Sequence, residues 1–545
     1  TIGPVKSMIS NSRKMRDMYS GSFLLSYLMQ EVILKLKEKD NVKIIIPYVE
    51  KHETQSLNIP NKVIARVEGF NQEEKNNFSS EIERFIQEKF IAICQKVLEK
   101  VKAPFNREIQ NQLTHFLEIY WLFEDNNDNS DDIATYIKAV NKMHSVKNLR
   151  CFNQIDEDAG RKCSLYPDNN AIFYREKANK NIPDYMNYEN SIKISDKEYL
   201  YSLKVGESLS AFAYVKRMFH TIENKEALGY KLKISSVAYM LLKSRIGDLQ
   251  NLTDESCEAL MDLYNRNTPS EDNYPEEQIK RAKKLYAENK NVKITPYYAI
   301  LKLDGDNMGD AYNKCKTYDK QNELSMKTSS FVSVAQDIAE DNNGLCIFAG
   351  GEDILMFLPI DTLFTAVYTL YKKYRETLGY NFTFSAGIVI AHFMQPLKDV
   401  MVQVYEAEKE AKDYCAEKNS FAINLIKRGG GSVSVANRFG DKCENLKAVE
   451  DVVKNLYGED LSHNYLYNLI SNLKKITVNN ETVIIKNKMI NALIFQANKI
   501  KNRDNKNEVS KCIVNLFEIF GNLKQFTDSL KIIDFLSKEG IYSDI

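Results

Sequence analysis

The sequence predicts an α+β multidomain protein with two ferredoxin-like domains, a mostly helical insert between them and a C-terminal helical bundle. Three observations predict this class. The 545 residues are too many for a single hydrophobic core. Strand and helix patterns follow each other in the order βαββαβ between residues 297 and 391, and a related order fills the first hundred residues. After residue 442 the apolar spacing is helical throughout.

Changes in these patterns predict four domains. They are a first ferredoxin-like domain over 1–105, a helical domain over 106–290, a second ferredoxin-like domain over 291–435 and a helical bundle over 436–545. In the first domain we expect a helix from Val5 to Glu38, turned at Gly21, and another over Gln72–Val101. Two strands, Val42–Pro47 and Asn61–Val67, separate these helices.

Further segments are expected in the second half of the chain. Helices are predicted between the strands of the second ferredoxin-like domain, over Glu323–Glu340, Thr362–Leu378 and Met401–Lys418. The bundle is predicted to contain four or five helices, over Ala448–Leu456, His463–Lys474, Lys486–Lys501, Val509–Phe520 and Phe526–Leu536.

Composition limits the functions that the chain can have. Lys+Arg and Asp+Glu each number 74, so no overall field attracts nucleic acid, and RNA contacts must come from local patches or partner subunits. Nine cysteines without regular spacing favour a reducing, cytoplasmic location. No apolar run is long enough to span a bilayer, so we expect no membrane contact.

Two acidic motifs lie at strand ends in the second ferredoxin-like domain. An apolar strand from Tyr297 runs into Asp304-Gly305-Asp306. Two further apolar runs flank Gly350-Gly351-Glu352-Asp353, which is typical of a hairpin whose turn needs positive φ. Either motif alone can be an ordinary turn with a solvated tip. Together, on the two central strands of one βαββαβ unit, they predict a shared site.

Strands this apolar belong in a core, where an unpaired carboxylate is costly. We therefore predict that Asp304, Asp306, Glu352 and Asp353 share a divalent cation, Mg²⁺ or Mn²⁺, because hard oxygen ligands suit these ions. Two such ions about 4 Å apart would form a nucleotidyl-transfer site, in which one activates a hydroxyl and the other steadies pyrophosphate.

A basic pair follows the next strand, Phe421–Ile426. Lys427 and Arg428 precede Gly429-Gly430-Gly431. Such a run can bring charge and backbone N–H groups close to phosphates, and it can equally be a flexible turn. Both interpretations stay open from the sequence.

The two acidic motifs carry a family resemblance. Asp-Gly-Asp-Asn-Met-Gly followed by Ala-Gly-Gly-Glu-Asp resembles the palm (nucleotide-cyclase-like) domain in the large subunit of type III CRISPR complexes. The opening of the chain agrees independently, because Thr1–Val5 and Ser12–Tyr27 resemble the start of the first palm-like domain in the Cmr, type III-B, branch. The resemblance therefore implies that both ferredoxin-like domains are palm domains.

The resemblance also implies an activity. It implies that Mg-ATP binds at the second palm, and that a 3′-hydroxyl attacks the α-phosphate to give a cyclic oligoadenylate second messenger. Some relatives instead join AMP to S-adenosylmethionine, and an inactive RNA-binding scaffold is the alternative of another class. The implied partners are other Cmr subunits, guide RNA and target RNA.

Further positions follow from the same resemblance. Glu352 stands where the family more often has Asp, and its side chain is longer by one carbon–carbon bond, ~1.5 Å. Positions implied near the nucleotide are Gly305, Gly350, Gly351, Ser385 and Lys412. The acceptor would meet the Ser12–Ser22 segment, including Ser22, with cations from Arg13, Lys14 and Arg16.

Two features of relatives are not expected here. Many relatives have a phosphohydrolase domain marked by an adjacent His-Asp pair, but none of the six histidines is followed by Asp. Relatives also hold zinc with Cys-x-x-Cys, where this chain has Cys151 and, further on, Cys163 followed by Ser164-Leu165-Tyr166. A zinc site is therefore not expected, since four closed ligands are needed, and Cys257 is the first candidate for a further ligand.

Overall fold

The computed structural model describes residues 1–49, 59–126, 132–149, 157, 159–175, 191–196, 199–222, 235–246, 249, 252–458, 461–476 and 506–540. The chain divides into two compact units. The first comprises residues 1–292, 307–333 and 347–351, and the second comprises residues 293–306, 334–346 and 352–545. The four predicted domains remain a finer division of the chain than these two units.

The first unit begins with the predicted ferredoxin-like order. Its elements are β1 (Ile2–Gly3), α1 (Val5–Ser10), α2 (Met15–Lys37), β2 (Val42–Ile46), β3 (Ile64–Val67), α3 (Gln72–Lys100), α4 (Arg107–Thr114) and β4 (Glu118–Ile119). Strand β1 pairs antiparallel with β4, and β2 with β3. A hydrogen bond of 3.0 Å from Ile2 N to Asn61 O joins β1 to the segment before β3. These are the neighbours that a ferredoxin-like sheet requires.

Local contacts explain where helix α3 begins and why Gly21 lies inside a helix. Helix α3 begins at Gln72 because Asn71 and Glu74 form a reciprocal capping box, with distances of 2.9 and 2.7 Å. The predicted turn at Gly21 is wrong, because the helix breaks between Ser10 and Met15 and Gly21 lies inside α2. A Cβ at Gly21 would lie 2.3 Å from the Met8 carbonyl oxygen, so this glycine permits close helix packing.

The rest of the first unit is mostly helical, as predicted, with one small sheet that the sequence did not indicate. Its helices are α5 (Asp132–Asn148), α6 (Ala211–Met218), α7 (Val237–Ile246), α8 (Asp254–Tyr264) and α9 (Glu276–Glu288). The small sheet contains β5 (Phe173–Tyr174), β6 (Ile192–Lys193) and β7 (Ser208–Leu209), in the order β6-β5-β7. Strands of two residues are too short for a period-2 pattern, which is why they were missed.

A six-stranded sheet supports the acidic motifs. Its strands are β8 (Tyr297–Gly305), β9 (Leu345–Gly350), β10 (Asp353–Pro359), β11 (Phe384–His392), β12 (Ser420–Ile426) and β13 (Ser432–Arg438). Their order is β13-β12-β11-β8-β10-β9. The four strands β11-β8-β10-β9 have the ferredoxin-like arrangement, with β8 and β10 at its centre, and this confirms the predicted βαββαβ unit.

Helices connect these strands and complete the bundle. They are α10 (Met308–Lys314), α11 (Tyr318–Asp341), α12 (Leu363–Leu378), α13 (Leu397–Asp413), α14 (Glu444–Tyr457), α15 (His463–Ile476), α16 (Lys506–Phe520) and α17 (Leu523–Glu539). Predicted helices match α11 to α17, while Lys486–Lys501 lies outside the described residues. Within the described ranges, none of the helices combines the length and hydropathy that crossing a membrane requires.

Candidate functional site

The register of the central strands brings Asp304 and Asp353 together. In the antiparallel pair β8–β10 these two residues lie directly opposite each other, and Ser385 of β11 lies opposite Asp304 on the other side. Directly opposite residues of antiparallel strands point to the same face of the sheet. The side chains of Asp304 and Asp353 are 28% and 36% exposed, so both carboxylates reach solvent at the strand ends. The predicted pairing of the two motifs is therefore confirmed in the fold.

A lysine inside β8 contacts one of these carboxylates. Lys302 precedes Asp304 by two residues and so lies on the same face of the strand. Its Nζ lies 2.5 Å from Asp353 Oδ1 and 3.3 Å from Glu408 Oε2, and its side chain is only 8% exposed. Burial lowers the pKa of Lys302, but Asp353 and then Glu408 outweigh burial and hold that pKa above its usual range. Lys302 is thus a buried ammonium group.

A second lysine, on helix α13, contacts the other carboxylate. Lys412 Nζ lies 2.7 Å from Asp304 Oδ2 and 2.7 Å from Glu408 Oε1. Glu408 and Lys412 are four residues apart on one helix, which places them on the same face. Five charged groups therefore alternate in sign, in the order Asp353, Lys302, Glu408, Lys412 and Asp304. We call these five residues the charge chain.

The charge chain leaves the two aspartates short of positive charge. Burial raises the pKa of Asp353, Lys302 lowers it, and the neighbouring Asp304 raises it again, so that the net shift is upward. Three carboxylates and two ammonium groups sum to a formal charge of −1. A cation near Asp304 and Asp353 would relieve their mutual repulsion.

The donor set fits a magnesium ion that also binds substrate. Nowhere in the described ranges do three or more His, Cys, Asp or Glu side chains cluster as a metal site. The palm therefore offers two carboxylates, Asp304 and Asp353, rather than four. Mg²⁺ is commonly held by one or two carboxylates, with water and substrate phosphates completing its shell, so two are sufficient.

Asp306 has a different environment from the one predicted. It is 6% exposed, and its carboxylate accepts hydrogen bonds from Thr383 Oγ1 at 2.8 Å, Ser385 Oγ at 2.8 Å and Asn419 N at 2.9 Å. Both oxygens are engaged by these donors. The structure therefore places Asp306 as an anchor between β8, β11 and the segment before β12. Ser385, predicted near the nucleotide, is a fully buried donor to this anchor.

The glycine turn has one glycine with positive φ. Gly351 has φ of +79°, and the two turn residues are Gly351 and Glu352 rather than the two glycines. Gly350 ends β9. The carbonyl of Glu352 accepts a hydrogen bond of 3.1 Å from Gly305 N, so both motifs are joined through backbone. Glu352 and Asp353 remain adjacent, with Asp353 as the strand residue that faces Asp304.

Lys427 and Arg428 lie at the opposite end of the sheet from the acidic pair. Strand β12 runs parallel to β11, so its beginning lies near Asp306 and its end lies near Tyr297, whose hydroxyl accepts from Arg428 N at 3.4 Å. From Asp304 back to Tyr297 is seven residues, or about 23 Å of strand. Of the two interpretations that the sequence left open, this placement does not support a nucleotide contact of Lys427 and Arg428 at the acidic pair, and both side chains are exposed.

The predicted acceptor residues lie in the first unit. Ser22 is buried inside α2. The three cations before it form ion pairs within that unit, at 3.4 Å for Arg13 with Glu207, 3.2 Å for Lys14 with Glu258, and 3.6 Å for Arg16 with Asp254. Their charge is therefore already matched by acids.

The structure describes one of the two cysteines of the predicted zinc region, Cys163. Cys151 lies outside the described residues. Cys163 is buried, and its Sγ accepts hydrogen bonds of 3.4 Å from Leu165 N and Tyr166 N. Cys257 is buried in α8, where burial raises the pKa of its thiol above the usual range. The expectation of no zinc site stays a prediction.

Sequence reasoning missed Lys302, Glu408, Thr383 and Asn419. One signal was available for Lys302, because a lysine inside an otherwise apolar strand needs an acidic partner. The spacing of Glu408 and Lys412 was a second signal. No local signal identifies Thr383 or Asn419, which reach Asp306 across 77 and 113 residues of sequence.

A ferredoxin-like sheet with facing carboxylates at the ends of its two central strands defines a palm domain. Residues 297–422 match the Cas10/Cmr2 second palm domain, and residues 1–118 match the N-terminal domain of CRISPR-associated protein Cmr2. Both matches occur in the family's order along the chain. Over these two stretches the chain is similar to the Cas10/Cmr2 family of large CRISPR subunits.

Individual relatives agree with this assignment. The chain is 22% identical to the CRISPR system Cmr subunit Cmr2 of Pyrococcus furiosus over 553 aligned positions, which cover 79% of this chain and 61% of that protein. The chain thus matches less than two thirds of that relative's length. Its fold is similar to cryo-EM structures of type III-B Cmr-beta in the apo state and bound to cognate target RNA. Each is 13% identical over 98% of this chain, with TM-scores of 0.65 and 0.66, and the match covers 81% and 82% of those chains.

Proposed function

We propose that this chain is the signal-generating nucleotidyltransferase subunit of a type III-B CRISPR complex, activated by target RNA. Its substrate is ATP, and its product contains a 3′–5′ phosphodiester bond, as in cyclic oligoadenylate. The observation that supports this most directly is the facing pair Asp304 and Asp353 at the ends of β8 and β10. The three carboxylates of the charge chain outnumber its two lysines, so the facing pair can accept a cation in addition to its ion pairs.

Asp304 and Asp353 would hold the divalent cation. When bound, Mg²⁺ would lower the charge on the triphosphate and favour attack of a hydroxyl on the α-phosphate. Asp306 holds the β8 end against β11 and thereby fixes the backbone that presents Asp304. Lys412 is 29% exposed and can turn from Asp304 towards a substrate phosphate, whereas Lys302 is too buried to do so.

The partners proposed for this chain follow from its family. We propose that it assembles with other Cmr subunits, a guide RNA and a target RNA. The sequence has no excess of basic residues, so those subunits would supply much of the positive charge that RNA binding requires.

The test is pyrophosphate release by the assembled complex with ATP, Mg²⁺ and target RNA. Asp304→Asn and Asp353→Asn should each lower turnover by on the order of 10³, because metal stabilisation of transition-state charge amounts to several kcal/mol. Asp399→Asn, an exposed carboxylate in the first turn of α13, is the matched control and should leave turnover unchanged. Near-normal turnover in either site variant would refute the proposed function. Intact assembly and RNA binding would show that the loss is chemical.

A conjugate of AMP with S-adenosylmethionine is the second candidate product. The observations that favour it are in the sequence, where Glu352 stands in place of the Asp that the family more often has and the chain has no net charge. Mass spectrometry of the product decides between them. Cyclic oligoadenylate from ATP alone supports the first product. Pyrophosphate release that requires S-adenosylmethionine, with a one-to-one product, supports the second.

A further inference from the structure

The charge chain leaves neither aspartate of the palm unpaired. Lys302 contacts Asp353, and Lys412 contacts Asp304. A divalent cation held by both carboxylates would therefore compete with two ammonium groups. The affinity of the site for that cation therefore depends on the free energy needed to separate the two lysines from their aspartates.

Glu408 is the acid that the two lysines share. One of its oxygens lies 3.3 Å from Lys302 Nζ and the other lies 2.7 Å from Lys412 Nζ. Each lysine thus has an aspartate on one side and Glu408 on the other. When a cation takes the aspartates, Glu408 remains as a counter-charge for both lysines.

This counter-charge matters most for Lys302. Its side chain is 8% exposed, with the ring of Tyr405 centred 5.6 Å from Nζ, so it cannot turn into water. A buried ammonium group without an acidic partner is strongly unfavourable. Lys412 is 29% exposed and can reach solvent or a phosphate instead.

The packing of helix α13 holds Glu408 in this place. On β11, Gly387 lies opposite Lys302 of β8. A Cβ on Gly387 would lie 2.3 Å from Glu408 N and 2.8 Å from Ala407 C, so the helix backbone rests directly on the strand at this point. The close contact fixes the height of Glu408 above Lys302.

We propose that Glu408 is a positioning residue that sets the divalent-cation affinity of the Asp304–Asp353 pair, by retaining the two lysines that the cation must displace. This inference rests on the proposed function, because it takes Asp304 and Asp353 to be the cation's ligands. It assigns Glu408 no contact with substrate. Glu408 acts through Lys302 and Lys412.

Mn²⁺ binding to the purified 545-residue chain tests the proposal without requiring turnover. The free Mn²⁺ signal in electron paramagnetic resonance gives the dissociation constant, and Asp353→Asn identifies the signal of this site. Glu408→Gln keeps the shape of the side chain and removes its charge, so we expect roughly tenfold weaker binding. Glu406→Gln is the matched control, because Glu406 is exposed on the same helix and hydrogen-bonds Gln403. It should bind Mn²⁺ like the unsubstituted chain.

A second variant should change the affinity for Mn²⁺ in the opposite direction. Lys302→Met removes one competitor while keeping the length and apolar stem of the side chain, so Mn²⁺ should bind several-fold more tightly. General damage to the site would weaken binding in both variants. Tighter binding in Lys302→Met with weaker binding in Glu408→Gln supports the proposal. If Glu408→Gln fails to fold, Lys302→Met decides alone, with tighter binding in favour.

Three outcomes overturn the inference. They are unchanged binding in Glu408→Gln, equal weakening in Glu406→Gln, and weaker binding in Lys302→Met. The proposed function fails in a different way, through Mn²⁺ binding that Asp353→Asn does not alter, or through the absence of pyrophosphate release. If Mn²⁺ binds through Asp353 and its affinity does not depend on Glu408, only the present inference fails.

Discussion

Asp306 provides the sharpest prediction, because the sequence makes it equivalent to Asp304 and the structure does not. Asp306→Ala removes an acceptor that serves three donors, from Thr383, Ser385 and Asn419. Asp304→Ala removes a carboxylate that is 28% exposed, and its partner Lys412 keeps Glu408. Asp306→Ala should therefore lower stability and spare cation binding, whereas Asp304→Ala should lower cation binding and spare stability.

The expected loss in the free energy of unfolding for Asp306→Ala follows from its hydrogen bonds. A bond to a charged group contributes ~1.5–3 kcal/mol, so three contribute at most about 9 kcal/mol. Removing a buried carboxylate also recovers its desolvation penalty, which amounts to several kcal/mol. The expected net loss for Asp306→Ala is about 4 kcal/mol. For a unit of this size, such a loss lowers the melting temperature by roughly 10 °C.

Thermal unfolding followed by circular dichroism measures this difference. Asp304→Ala should lie within about 3 °C of the unsubstituted chain, since a partly exposed ion pair contributes ~1 kcal/mol or less. Mn²⁺ binding should show the reverse order. Asp304→Ala should lose most of its Mn²⁺ binding, whereas Asp306→Ala should lose only as much as its lower folded fraction explains. A melting temperature unchanged by Asp306→Ala, together with lost Mn²⁺ binding, would show that Asp306 is a metal ligand and that its anchoring role is wrong.

The remaining predictions concern three other places in the second unit. His392 Nδ1 accepts a hydrogen bond from Met394 N, and burial lowers the pKa of His392 to about 4. Because the unfolded chain takes up this proton at higher pH than the folded chain does, the free energy of unfolding should fall by roughly 2 kcal/mol as pH falls from 6.5 to 4. His392→Phe should remove this slope in melting curves measured across that range, and an identical slope would refute it. Gly387→Ala should cost about 1–3 kcal/mol, seen as a lower melting temperature, because its Cβ meets backbone atoms of α13. Lys427→Ala combined with Arg428→Ala should leave pyrophosphate release within about twofold, because both lie ~23 Å along the sheet from the acidic pair, and a large loss would contradict that placement.

The order of the elements and the pairing of the two acidic motifs follow from local patterns in the sequence. Strands and helices were predictable because alternation and helical spacing are local patterns that burial imposes on neighbouring residues. Once the order βαββαβ is given, its topology puts the first and third strands side by side at the centre. The order of the elements therefore requires Asp304 and Asp353 to lie near each other.

Which acids face solvent, and which groups balance their charge, depends on contacts between residues that are far apart in the sequence. Asp306 was indistinguishable from Asp304 in sequence, because its three donors come from residues 77 to 113 positions away. The position of Lys427 could not be decided from the sequence, because the strand that precedes it runs parallel to β11, and strand direction is a property of the whole sheet rather than of a local pattern. Glu408 meets Lys302 only because a helix backbone rests on a glycine of another strand. Charges that are distant along the chain interact through space, so the alternating pairs that govern this site could be found only in the folded protein.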